Sequence, residues 1–143
     1  MALKYRLGPA RRAFNAVASR AIRHGIGLPS SYILTTRGRK TGIERSTPVS
    51  VVRRDGVRWL VAPYGSVGWV HNTRAAGKVT LSKGGSSQEV AVTEVGPQEA
   101  APILRAYLRT FPVVRPFFNF GARSMEEKIV AEALRHPVFR IDD

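Results

Sequence analysis

Two periods of apolar and polar positions alternate along the chain, and the changes of period mark its elements. Over residues 9–24, Ala10, Ala13, Phe14, Val17, Ala21 and Ile22 recur at helical spacing, with Pro9 suited to a first turn and Gly25 to a stop. Arg11, Arg12, Asn15, Ser19 and Arg23 fall largely off that face, so residues 1–28 are expected to carry a basic amphipathic helix. The period then drops to two. Ser31–Thr36, Thr47–Arg53 and Val57–Ala62 read as strands, and Asp55-Gly56 is a hairpin signal between the last two. The three are expected to form an antiparallel meander. Pro63 ends the third strand, and a short helix, Gly68–Ala76, should stop at Gly77. Lys78–Lys83 and Gln88–Val95 read as two further strands around a turn at Gly84-Gly85-Ser86-Ser87.

Helical spacing returns over Pro97–Thr110, where Ala100, Ile103, Leu104, Tyr107 and Leu108 share one face. Val113–Phe120 carries three phenylalanines beside Pro112 and Pro116, and reads either as core filling or as the wall of a pocket. Ser124–Leu134 is expected to be a helix with Ser124 as its cap and Glu127 three residues on. Val138–Ile141 is a last strand. About six strands with helices at the edges predict an α+β domain built on a small barrel closed by the meander. No internal repeat or linker is visible, so residues 1–143 are expected to be one domain.

Composition narrows the chemistry. The chain has no cysteine, which excludes disulfides, thiolate metal sites and thiol nucleophiles. His24, His71 and His136 are scattered, and no metal site is expected. No run of about 18 apolar residues exists and the N-terminus lacks a signal-peptide core. The net charge of +13 is unevenly placed. Residues 1–83 hold sixteen Lys and Arg against Glu44 and Asp55, whereas residues 84–143 hold seven against eight acids. That sorting implies an anionic partner: a nucleic acid, an anionic membrane or a charged ligand.

The charge concentrates in the turn between the first two strands, Arg37-Gly38-Arg39-Lys40-Thr41-Gly42-Ile43-Glu44-Arg45. Glycines there let amide N–H groups face inward. With four cationic side chains and a hydroxyl alongside, the turn suits a phosphate or a polycarboxylate. The other reading is a solvated hairpin loop. Further along, Pro63-Tyr64-Gly65-Ser66-Val67-Gly68 lets the backbone approach a flat ligand closely, with Trp69, His71 and Asn72 near the start of the following helix. Trp69 also reads as plain core, and His71 as a satisfied, partly buried histidine.

Taken together, three stretches resemble the deazaflavin-dependent nitroreductase family. They are Leu34-Thr35-Thr36-Arg37-Gly38-Arg39-Lys40-Thr41-Gly42 with Arg45 and Thr47-Pro48-Val49; Leu60-Val61-Ala62 with Trp69-Val70-His71-Asn72 and Lys78-Val79; and Val138-Phe139-Arg140. The resemblance implies a split β-barrel of the FMN-binding type and an oxidoreductase that uses coenzyme F420, a flat ring with a phosphate and an oligoglutamate tail. It places the phosphate on Arg39, Lys40, Thr41 and Arg45, and the tail near Arg37 and Arg74. Ala62, Pro63, Tyr64 and Gly65 would lie along the ring, with Ser46, Thr47 and Pro48 lining the cleft and Trp69 and Asn72 beside it. The implied reaction is hydride transfer, so no nucleophile-and-base pair is needed. Solvent, Tyr64 and His71 are the candidate proton donors. The segment between Ala62 and Trp69 is shorter than in the nitroreductases. With the phenylalanine-rich stretch, this favours a quinone or other apolar acceptor over a nitroimidazole.

The chain is expected to be a cytoplasmic enzyme, monomeric or homodimeric. The basic N-terminal helix adds the expectation of peripheral contact with an anionic membrane at its inner face. Three other readings compete: a nucleic-acid-binding basic barrel without catalysis, the same barrel holding FMN, and a non-catalytic split barrel that stores a lipid or cofactor.

Overall fold

The computed structural model describes residues 30–143; the expected N-terminal helix lies outside them. Six strands close into one barrel in the order β1-β2-β3-β6-β5-β4. They are β1 (Ser31–Arg37), β2 (Glu44–Arg54), β3 (Val57–Val61), β4 (Lys78–Lys83), β5 (Ser86–Glu94) and β6 (Val138–Asp142). Every neighbouring pair is antiparallel. The expected meander is present as β1-β2-β3. Closure does not come from the meander itself: β6 inserts between β3 and β5, and β4 returns to β1. At the β2–β3 hairpin, Asp55 (φ 54°) and Gly56 (φ 76°) both take the left-handed conformation that a two-residue turn of this hand requires.

Strand alternation gives the barrel two cores. Leu34, Val51, Leu60, Val79, Leu81, Val90, Phe139 and Ile141 fill its inside. Val52, Trp59, Val61 and Val138 point outward and meet the helices. Helix α1 (Gly68–Ala76) stops at Gly77, whose φ of 70° and N–H to the Thr73 carbonyl make a left-handed cap. Its Val70 joins the inside core, so α1 plugs the barrel end where β3 finishes and β4 starts. At the other end Arg58 is buried, paired with Asp143 and bonded to Gln88 Oε1 at 3.2 Å. Helix α2 (Pro97–Thr110) buries Ala100, Ile103, Leu104, Tyr107 and Leu108, the face expected from its period.

Three boundaries differ from the sequence reading. β2 begins at Glu44 and not Thr47, because Glu44, Arg45 and Ser46 continue the ladder with β1 although all are exposed and polar. Ser86 and Ser87 belong to β5, leaving only Gly84-Gly85 in the turn. Helix α3 runs Glu126–Glu132 and continues as a 3-10 turn over Ala133–Arg135. Ser124 does not cap it; its hydroxyl accepts from the Gly121 N–H at 2.9 Å instead. The stretch after α2 is a 3-10 helix, Pro112–Phe117. The core reading holds for Phe118 and Phe120, which are buried, while Phe117 stands half-buried, edge-on to Tyr64.

Candidate functional site

The basic turn closes on itself. Gly38 N–H donates to the Ile43 carbonyl at 2.8 Å and Gly42 N–H to the Gly38 carbonyl at 2.9 Å, with Gly42 at φ 74°. Thr41 Oγ1 accepts from Ile43 N–H at 3.2 Å. A Cβ on Gly38 would stand 2.6 Å from Thr41 Oγ1 and 3.3 Å from the Ile43 carbonyl, so the turn is tight enough to require glycine there.

The turn is fastened to the barrel by one residue of α1. Asn72 is buried, and its Oδ1 accepts from Arg39 N–H at 3.2 Å and Arg39 Nη1 at 3.1 Å. Its Nδ2 donates to Thr36 Oγ1 at 3.2 Å. Both ends of the amide are thus used inside the protein. The residue orients Arg39, whose remaining guanidinium donors point elsewhere.

The cations divide by what they already hold. Arg74 donates Nε and Nη2 to the two Glu94 oxygens at 2.8 Å each, and Nη1 to Ser66 Oγ at 3.3 Å. The hydrogen bond to Glu94 raises the Arg74 pKa. An incoming carboxylate would only replace Glu94, in an exposed setting where such a pair contributes about 0–1 kcal/mol. Arg37 makes a loose 3.8 Å pair with Glu44, both well exposed, and a 3.4 Å bond to the Gly42 carbonyl. Lys40 and Arg45 are exposed and no protein carboxylate pairs with them among the described residues. Sequence reasoning grouped Arg74 with the turn; the structure ties it to Glu94 on β5.

Strand alternation separates the β2 residues. Thr36 faces Arg45 and Leu34 faces Thr47, so Arg45 and Thr47 project toward the barrel interior and its α1 end. Ser46 and Pro48, opposite Thr35 and Ile33, project from the outer face, where Ser46 Oγ lies 2.8 Å from Thr35 Oγ1. β2 pairs with β3 only over Val51–Arg54, so the edge of Arg45–Ser50 on the β3 side has no ladder partner among the described residues. Backbone groups there are open to a flat, hydrogen-bonding ligand, and Pro48 supplies no N–H to a further strand.

The segment after β3 is braced from behind by residues just before β6. Ala62 is buried and its N–H donates to the Pro137 carbonyl at 2.8 Å. The Pro63 carbonyl lies 2.9 Å from His136 Nδ1. Gly65 takes φ 88°, and a Cβ there would sit 3.4 Å from the Arg135 carbonyl. The Tyr64 ring meets Phe117 edge-on at 4.9 Å. Behind it Tyr107 is buried, and its hydroxyl pKa is pushed up by burial and by Tyr64. Trp69 is half-buried, tilted against Phe139 at 6.0 Å, and closes the inside core as its plain reading required. His71 is exposed on α1, not partly buried as its bland reading expected. Asn72 stands five positions along from Val67, about 7–8 Å of helical rise, so α1 links this segment to the basic turn. Sequence reasoning missed Thr36 and His136. Their contacts to Asn72 and Pro63 span 36 and 73 residues, and nothing local marks them.

A closed six-stranded barrel with peripheral helices and a cationic hairpin beside an open strand edge is the architecture of the split-barrel proteins. The sequence model of the F420H(2)-dependent quinone reductase family matches residues 10–115. The chain belongs to that family: it is an F420H2-dependent reductase, and coenzyme F420 is its cofactor. Among solved structures it is similar to that of an F420-H2 dependent reductase (FDR-A), at 20% identity and TM-score 0.55 over 80% of this chain and 95% of that one. It is also similar to a domain-swapped dimer, at 18% identity and TM-score 0.58 over 93% and 96%. A third neighbour is a NimC/NimA family protein from Clostridium acetobutylicum, at 14% identity and TM-score 0.53 over 88% and 78%. At these identities the likeness is one of fold. No curated protein matches. The family match disfavours the nucleic-acid, FMN and non-catalytic readings.

Proposed function

We propose that the protein reduces a quinone or similar apolar acceptor by hydride transfer, with the cofactor's anionic portion on the β1–β2 turn and its ring beside Ala62–Gly65. When bound, reduced F420 supplies the hydride; the protein's part is to bind, orient and keep water out. The observation that carries the reading is the turn, where Lys40 and Arg45 hold no carboxylate among the described residues while Asn72 fixes Arg39 beside them. That donor set fits a phosphate: charge-assisted N–H groups around a glycine-tight turn, with the Thr41 hydroxyl at its edge.

Lys40, Thr41, Arg45 and Arg39 hold the phosphate in this reading. Arg37 meets the tail, and Arg74 is left to Glu94. Ala62, Pro63, Tyr64 and Gly65 flank the ring, facing the open edge of β2 at Thr47 and Pro48. Ser46 and Trp69 take second places, Ser46 on the outer face and Trp69 under the barrel end. The apolar acceptor rests against Tyr64 and Phe117, whose rings already meet. Of the two side chains considered as proton donors, Tyr64 lies in the segment itself, and His71 stands exposed on α1.

Anaerobic mixing of reduced F420 with the protein and a short-chain naphthoquinone tests the reaction. Cofactor oxidation that needs both protein and quinone is expected; a rate no faster than without protein would refute it. The cytoplasmic placement and the contact of residues 1–28 with an anionic membrane belong to the same reading. No helix among the described residues is long and apolar enough to cross a membrane. Sedimentation with anionic vesicles at low salt should carry the protein down, and its absence from the pellet would remove the membrane contact.

A further inference from the structure

We infer that His136 is a positioning residue for the reaction: by holding the Pro63 carbonyl it aims the Tyr64 amide N–H at the bound ring. The inference rests on the proposed placement of the ring beside Ala62–Gly65. His136 lies beyond the stretch that the family model matches. Its side chain is buried, stacked on Phe118 at 3.9 Å and 17° and edge-on to Phe120 at 6.0 Å. Two aromatic contacts at right angles leave the imidazole little freedom, and its Nδ1 lies 2.9 Å from the Pro63 carbonyl. A carbonyl only accepts, so Nδ1 carries the hydrogen and donates.

This bond fixes more than one atom. The peptide joining Pro63 to Tyr64 is planar and trans, as no cis bond occurs among the described residues. In a trans peptide the C=O and N–H point in opposite directions. With the Pro63 carbonyl drawn back to His136, the Tyr64 N–H points away from the helical core. The preceding peptide is held from the same side, Ala62 N–H on the Pro137 carbonyl at 2.8 Å, and the Arg135 carbonyl lies close to Gly65. Arg135-His136-Pro137 is therefore a brace behind the whole segment. The Gly65 N–H closes the turn on the Ala62 carbonyl at 3.2 Å, and within that turn His136 holds the carbonyl of the central peptide. A backbone donor held in advance costs no reorganisation when charge develops on a ring's polar edge.

The test compares His136→Phe, His136→Asn and His136→Gln. Phe keeps the stack and removes the donor. Asn carries an amide nitrogen where Nδ1 stands, and Gln carries it one bond farther. Each is measured for F420 affinity by fluorescence titration, for kcat with reduced F420 and a naphthoquinone, and for thermal melting. His136→Phe should lose about tenfold or more in kcat while F420 affinity, set at the distant turn, changes by less than about threefold. His136→Asn should recover kcat to within about threefold of wild type, and His136→Gln should not. A folded His136→Phe with wild-type kcat would overturn the inference, as would His136→Asn and His136→Gln behaving alike; the latter pair decides if the Phe variant does not fold. Wild-type protein with no affinity for F420 would overturn the ring placement as well. Wild-type affinity together with an unaffected His136→Phe would overturn the positioning role alone.

Discussion

At the scale of single residues, the site is made of side chains that hold other side chains. Asn72 contacts Arg39 and Thr36 and holds the turn where its cations can act. Asn72→Ala removes three hydrogen bonds from a buried position and should lower stability by about 1–2 kcal/mol, read from urea unfolding. It should also weaken F420 binding several-fold, because Arg39 is released. Arg74 gives the opposite expectation. Its guanidinium is satisfied by Glu94, so Arg74→Gln should leave F420 affinity within about twofold of wild type, and a larger loss would return Arg74 to the site. The residue types of the site were legible in the sequence, since a turn with glycines, a hydroxyl and four cations reads as an anion site on its own. The partners were not. Whether an arginine is spent on Glu94 or left free depends on a contact twenty residues away, and neither periodicity nor composition carries it.

At the scale of elements, positions where the backbone takes a left-handed turn mark where the chain must reverse. Gly56 (φ 76°) turns the β2–β3 hairpin and Gly77 (φ 70°) ends α1 between the two halves of the site. Alanine at either place should cost about 1 kcal/mol, seen as a lower denaturant midpoint without loss of F420 affinity. Both glycines were legible because left-handed turns have so few alternatives. Strand starts were less so. Glu44-Arg45-Ser46 shows no alternation, yet it ladders with Thr35-Thr36-Arg37 because the tight turn brings the two chains into register. The end of the chain was read as a strand, Val138–Ile141, and it is one, but its place between β3 and β5 depends on both neighbours and is written in neither. The start of α3 failed for a physical reason: Ser124 finds a partner in Gly121 and leaves the helix to begin at Glu126.

At the scale of the whole molecule, His136 is buried in the helical core, and burial lowers its pKa. Contact with the Pro63 carbonyl and with Glu132 works against that shift, and Arg135 adds to it. A base whose folded pKa is depressed binds fewer protons when folded than when unfolded. Its contribution to stability is complete above the unfolded value of about 6.5 and is lost as pH falls below it toward the folded pKa. Urea midpoints should therefore decline between about pH 7 and pH 5, and decline less in His136→Asn; a flat profile would contradict neutral burial of His136. The +13 charge gives the same molecule a long-range pull on anions, so F420 association should weaken as salt rises. The sign of the partner was legible from charge sorting alone. That α1 spans from the Ala62–Gly65 segment to the basic turn became visible only with the fold. The most direct check on the account is titration of wild-type protein and a Lys40→Ala/Arg45→Ala variant with F420, followed by cofactor fluorescence. Saturable binding by the wild type, weakened in the variant by about 1–3 kcal/mol per lost charge-assisted contact, is the expected result. Equal affinity in the two proteins would contradict a phosphate seated on this turn.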